Sequence, residues 1–133
     1  MIDDEYKLKV LTEKIIGCCF KVYNKMGFGY LESVYEKCLM IEFRKSNIGA
    51  EFQKPITVSY DGYVVGEFYA DVLIEDNIII EVKSIRQLSK IHEMQLVNYL
   101  VSTGKDIGLL INFGEERVEV KRKLRVLPLR YRE

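Results

Sequence analysis

The stretch 67–84, EFYADVLIEDNIIIEVKS, constrains the fold more than any other part of this chain. Phe68, Ala70, Val72 and Ile74 alternate with other residues, and Ile78, Ile79, Ile80 and Val82 follow as a β-branched run, so two strands are expected. Glu75, Asp76 and Asn77 between them are turn-forming residues, which makes the pair a hairpin. Asp71, Glu81 and Lys83 are the charges that interrupt its apolar strands. Because side chains alternate faces, Glu81 and Lys83 share one face while Ile80 and Val82 take the other. If the turn uses the three residues 75–77, Ile74 pairs with Ile78, and counting back sets Asp71 opposite Glu81. Directly opposed side chains have Cβ atoms roughly 5 Å apart. Two carboxylates that close repel unless a cation or a shared proton lies between them, which outlines a metal site.

The parity of the turn decides this. An even-numbered turn would put the two acids on opposite faces, although a β-bulge could restore the alignment. On the hairpin alone, the competing reading is a solvent-facing cross-strand cluster of Asp71, Glu81 and Lys83.

At 133 residues the chain is long enough for one domain with its own core, and the whole of 1–133 is expected to be that domain. Its 48% hydrophobic and 30% charged residues are those of an ordinary globular protein. No apolar run approaches the length of a membrane span, and the acidic opening MIDDEYKLK lacks the apolar core of a signal peptide. Cys18, Cys19 and Cys38 are odd in number and lie in helical patterns, so they read as reduced core residues rather than a disulfide or zinc ligands. A cytoplasmic protein is the expectation. The formal net charge is zero, which removes a global basic field for nucleic acid. Charge is nevertheless uneven: from Arg117 onward, seven Lys or Arg stand against Glu119 and Glu133. That segment is either a local basic flank or a solvated tail.

In order, a first helix is expected over 4–26, with Leu8, Leu11, Ile15, Cys19, Val22 and Met26 as its apolar stripe. Gly27 and Gly29 end it. A second helix is expected over 30–45, burying Leu31, Val34, Cys38 and Ile41. Strands follow over 52–60 and from 63, with Asp61-Gly62 as the turn between them. After the central hairpin come a helix over 88–103, a buried strand over 107–113, a last strand over 117–122 and a loose tail from about 124. The order α-α-β-β-β-α-β-β implies an α/β fold with a mixed central sheet flanked by helices. The hairpin is antiparallel, and the strand–helix–strand unit after it is a parallel crossover.

Two helices carry polar groups suited to lining a cleft beside the hairpin. Glu32, Tyr35 and Leu39 fall in one arc of the second, and His92, Gln95 and Tyr99 in one arc of the third. The alternative for each is a half-buried helix boundary, and for the lone His92 a surface or capping role.

Gly29-Tyr30-Leu31-Glu32-Ser33-Val34-Tyr35 fits a GxxExxY signature. Tyr69-Ala70-Asp71, Glu81-Val82-Lys83, His92 with Gln95 and Tyr99, and Leu109-Leu110-Ile111-Asn112-Phe113-Gly114 follow in sequence. With these motifs the chain resembles the GxxExxY protein family of the PD-(D/E)XK nuclease superfamily, from its first helix to its last strand. It departs at Ala70, where a proline often precedes the aspartate.

The resemblance implies a restriction-endonuclease-like fold and a nuclease dependent on Mg²⁺ or Mn²⁺. Its metal would be held by Asp71, Glu81, Glu32 and the backbone carbonyl of Val82, since hard oxygen ligands suit these cations. Lys83 would help activate the attacking water and offset transition-state charge. Gln95, Tyr99, His92 and Tyr35 would meet the substrate. Apart from the resemblance, the clustered charge offers Lys121, Arg122 and Lys123, supported by Lys90, as a phosphate-binding patch. The implied substrate is DNA, with RNA second, and no membrane is involved. A homodimer or another protein partner is left open. The rival readings are a silent nucleic-acid-binding or regulatory domain that keeps the fold, and a subunit active only in a complex.

Overall fold

The computed structural model describes residues 4–125, and its first organising fact is that the central apolar runs pair as a ladder. Five strands, β1 (Ala50–Tyr60), β2 (Tyr63–Ile74), β3 (Ile78–Lys83), β4 (Ile107–Phe113) and β5 (Val118–Leu124), form one sheet in the order β1-β2-β3-β4-β5. Strands β3 and β4 are parallel, as the crossover pattern predicts, and the remaining neighbours are antiparallel. Every residue of β4 is buried, because helices cover both faces of the sheet centre. Pro55, which has no N–H to donate, sits on the edge strand β1. The last strand runs two residues beyond its expected end, and the Arg125 N–H bonds to the Asp106 carbonyl at 3.0 Å. Most of the segment expected to be a loose tail, residues 126–133, lies outside the described residues.

Helices α1 (Asp4–Met26) and α2 (Glu32–Lys45) cover one face, and α3 (Lys90–Thr103) covers the other. Helix α1 buries Ile15, Cys18, Cys19 and Val22, and its cysteines are free thiols, as expected of core residues. Burial pushes the Cys19 thiol well above its usual range, which makes it an inert apolar filler. Gly27, at φ +70°, closes α1 by donating its N–H to the Tyr23 carbonyl at 2.8 Å, a left-handed turn that glycine takes without strain.

Helix α2 differs from expectation. Its buried line is Tyr35, Leu39, Glu42 and Phe43, while Leu31 and Ile41 are exposed. The helix is rotated by about one position because the aromatic rings of Tyr35 and Phe43 bury more surface than the leucine and isoleucine beside them. Tyr35 stacks on Phe113 of β4 with ring centroids 4.4 Å apart and planes 5° from parallel. On the opposite face α3 approaches β4 closely, since a Cβ at Gly108 would stand 2.8 Å from a Leu96 methyl. Glycine there lets the helix settle onto the strand.

Candidate active site

The site begins where the hairpin ladder ends. Ile74 pairs with Ile78, Leu73 with Ile79 and Val72 with Ile80, so the turn does use three residues. Glu75 and Asp76 both take positive φ in it, at 50° and 58°. Continuing this register sets Asp71 opposite Glu81, and there side chains replace the amide ladder. The Asp71 N–H donates to Glu81 Oε2 at 3.3 Å, and the Val82 N–H donates to Asp71 Oδ2 at 2.7 Å. Strands β2 and β3 part at this point, with the two carboxylates filling the gap.

The neighbouring pair β1–β2 is irregular at the same level. Its register runs Phe52↔Val72 and then Lys54↔Ala70, skipping Gln53 and Asp71, and Gln53 has φ +56°. Facing changes across the break. Phe52 packs with the α1/α2 layer, but Ile56, an even number of residues on, packs with the α3 layer. Ala70 and Leu73, an odd number apart, both belong to the α3 layer. A regular strand does the reverse in each case. Asp71 is thus held at a kink in the sheet, between the two helical layers.

Glu81 is 6% exposed, and its carboxyl is held well above the ordinary range, first by burial and then by Asp71. The Lys83 ammonium, on the same face of β3, pulls the other way. Tyr99 of α3 lies in the field of both acids: burial first and the Glu81 charge second raise its phenol, and Asp71 adds to this. Gln95 Nε2 donates to the Tyr99 hydroxyl at 3.1 Å, so Gln95 and Tyr99 do act as one unit beside the carboxylates.

From α2, the acid nearest Asp71 in electrostatic terms is Glu36, which the GxxExxY pattern does not single out. Burial, the Asp71 charge and Glu32 push its carboxyl up to about 7, against a 2.8 Å hydrogen bond from Gln53 Nε2. Glu32 lies one turn earlier, half-buried. Among the described residues, no three His, Cys, Asp or Glu side chains lie grouped as an ion cage. Glu36 was findable as the next acid on the same helical arc, four residues on.

Other expected residues have partners within the fold. Tyr35 is fully buried, with its hydroxyl donating to the Gly27 carbonyl, so it ties α2 to the end of α1 rather than facing a cleft. His92 Nδ1 accepts the Ser89 N–H at 3.1 Å, which makes it part of the α3 capping box. Lys121 and Lys123 reach Glu93 at 3.6 and 2.9 Å, whereas Arg122, alternate on β5, borders Glu5, Tyr6 and Lys9 of α1. The three therefore form no single patch, because strand alternation sends them to opposite faces. Sequence reasoning gives Asn112 no role of its own, yet it is fully buried and grips Ile85 just beyond β3. Its Oδ1 accepts the Ile85 N–H at 3.0 Å and its Nδ2 donates to the Ile85 carbonyl at 2.8 Å.

Residues 9–123 match the family model described as PD-(D/E)XK nuclease superfamily. The crystal structure of SSO0001 is similar, with a TM-score of 0.56 at 22% identity, over 72% of this chain and 50% of that one. That likeness concerns the fold alone, and the chain spans about half the length of that protein. No curated protein matches. A model match over most of the chain, on a fold that draws Asp71 and Glu81 together beside Lys83, makes this chain a member of the PD-(D/E)XK nuclease superfamily.

Proposed function

We propose that the chain is a divalent-metal-dependent phosphodiesterase acting on nucleic acid, DNA in the first place and RNA in the second. The observation that carries this is the paired Asp71 and Glu81 carboxylates at the parted strands, with the Lys83 side chain beside them. Two acids held this close, with burial first and Asp71 second raising the Glu81 carboxyl, are a donor set suited to a hard cation. Asp71, Glu81 and the Val82 carbonyl would hold Mg²⁺ or Mn²⁺, with a carboxylate from α2 completing the set. When bound, the ion supplies Lewis acidity at a phosphate oxygen and an activated water.

This chain's own residues do the rest. Lys83 orients the water and balances charge that builds on the phosphate. Gln95 and Tyr99 fix the substrate strand relative to the carboxylates. The GxxExxY resemblance, with Glu32 in that motif, supports the same reading, and three free thiols fit a cytoplasmic setting.

One observation favours a second reading. The net charge is zero and Lys121 and Lys123 are already paired with Glu93, which fits a nucleic-acid-binding or regulatory domain without catalysis, or a subunit completed by a partner. The deciding experiment incubates purified protein with single- and double-stranded DNA and RNA in Mg²⁺ or Mn²⁺, alongside Asp71→Asn. Cleavage by the wild type alone supports the enzyme. No cleavage of any polymer ends the stand-alone enzyme reading.

A further inference from the structure

Beside the carboxylates, between the β1–β2 hairpin and α3, runs a groove of about 660 Å³. Val58 and Phe68 form its hairpin wall, Ile91, Met94 and Val101 its helix wall, and Tyr99 is shared with the candidate site. Ile91 is 78% exposed and Met94 61%, on a helix whose other face is already buried by Leu96 and Leu100. Ile91 and Met94 belong to neither core cluster among the described residues. From this apolar stripe we infer that the groove receives an unpaired nucleobase, so that the substrate class of the neighbouring site is single-stranded nucleic acid. The inference rests on the nucleic-acid reading above and deepens it.

Three features select a base as the occupant. The first is continuity: Tyr99 borders the groove, bonds Gln95 and feels the charges of Glu81 and Asp71, so a strand whose phosphate sits at the acids has its adjoining base within reach. Charge is the second. Among the described residues no Lys or Arg lines the groove, so it is not built for a phosphate, and a duplex would press its charged backbone against apolar side chains. An unpaired base offers a π-face that aromatic and apolar groups accept whatever its sequence.

Preorganisation is the third. The Phe68 ring lies 5.7 Å from Tyr99, tilted 38°, and rests over Gly66, where a Cβ would come within 2.9 Å of it. Glycine at 66 therefore leaves room for the ring to lie as a fixed platform. The polar groups in the lining, Gln95 and Asn98, offer amides that can meet a base edge.

The test uses oligonucleotides carrying 2-aminopurine, whose fluorescence is quenched by stacking, with Ca²⁺ present. Single strands are expected to bind more tightly than duplex and to show quenching at one position. Phe68→Ala should weaken single-strand binding by roughly 5- to 150-fold and abolish that quenching, while Phe68→Trp retains it. Met94→Ser, on an exposed side chain, should weaken binding without disturbing the fold. Equal affinity for duplex and single strand, or no effect of either Phe68→Ala or Met94→Ser, overturns the inference. So does a dimer in sedimentation that Met94→Ser dissociates, because the groove is then a contact between two copies. Quenching in Ca²⁺ that depends on Phe68, without any cleavage in Mg²⁺ or Mn²⁺, upholds the groove and ends the stand-alone enzyme reading. Cleavage of both polymers alike without quenching does the opposite.

Discussion

Asp71 donates its backbone N–H to the Glu81 carboxylate at 3.3 Å, so two acids stitch together strands whose amide ladder has stopped. Burial first and Asp71 second raise the Glu81 carboxyl, so its negative charge beside Asp71 is costly in the fold. The same pair is therefore a local weakness in the metal-free protein and a binding site for a cation.

That weakness has a definite pH dependence. The Glu81 carboxyl is raised above its ordinary 4.5 in the fold, so from that pH upward the folded chain binds more protons than the unfolded one. Stability contributed by this group is complete below about pH 4.5 and is lost as pH rises through neutrality. Metal-free wild type should consequently melt at a lower temperature at pH 8 than Glu81→Gln does. Mn²⁺ at 100 times its Kd should restore about 2.7 kcal/mol to the wild type. Thermal melts at several pH values, with and without Mn²⁺, check this; a metal-free wild type that melts no lower at pH 8 than Glu81→Gln refutes it.

Lys83 shares a β3 face with Glu81 and lowers its proton affinity, without itself being one of the paired acids. Lys83→Ala should leave the fold and the Mn²⁺-induced shift in place, and metal affinity should rise slightly. Cleavage should fall by about 10²- to 10⁴-fold, the scale of a positioned acid–base or electrostatic group. Single-turnover rates give the answer, and an unimpaired Lys83→Ala places the chemistry elsewhere.

Which α2 acid serves the site is open to direct comparison. Glu36 feels the Asp71 charge and titrates near 7, so at neutral pH a cation beside Asp71 should displace its proton. Glu36→Gln should weaken Mn²⁺ binding more than Glu32→Gln does, and should reduce the protons released on binding. Calorimetry in two buffers of different ionisation enthalpy measures both. A larger loss in Glu32→Gln would restore the acid named by the GxxExxY pattern.

The hairpin was legible because parity is discrete: three turn residues and a period of two leave one facing for Asp71 and Glu81. The element order was legible for a similar reason, since apolar runs and glycine stops bound each segment. Helix α2 was harder to read. Its sequence has apolar residues all round, and the choice between Tyr35–Leu39 and Leu31–Ile41 depends on the Phe113 ring that arrives from β4. The kink at Gln53 and Asp71 leaves no trace in composition, because neither residue is a glycine or proline. Lys121, Arg122 and Lys123 read as one patch only while they are letters in a row.

Glu93 explains why that segment is less basic than it looks. Lys123 first, then Lys121, hold its carboxyl below the usual range, so two of the three cations are already matched. Glu93→Gln should free both and steepen the salt dependence of nucleic-acid binding by up to about 0.7 per added phosphate contact on a single strand. Arg122→Ala, on the α1 face, should leave the slope as it is. Affinity measured over a range of salt concentrations decides, and a slope changed by Arg122→Ala but not by Glu93→Gln reverses the assignment.

Asn112 supplies the last prediction. It pairs with Lys83 in the parallel register and holds both backbone groups of Ile85, so it fixes the chain as it leaves β3. Asn112→Ala removes both bonds and leaves partly buried N–H and carbonyl groups without partners, at a loss of about 1–3 kcal/mol in stability. Asn112→Asp keeps the shape but aims a second carboxylate oxygen at the Ile85 carbonyl, which only its protonated form tolerates. The aspartate variant should therefore regain stability as pH falls, and the alanine variant should show no such recovery. Urea midpoints at pH 5 and pH 8 separate the two. Mn²⁺ binding at Asp71 and Glu81 should survive in both while cleavage drops, because the clamp positions Lys83 and not the acids. An alanine variant as stable and as active as wild type would mean that β3 holds Lys83 in place without the clamp.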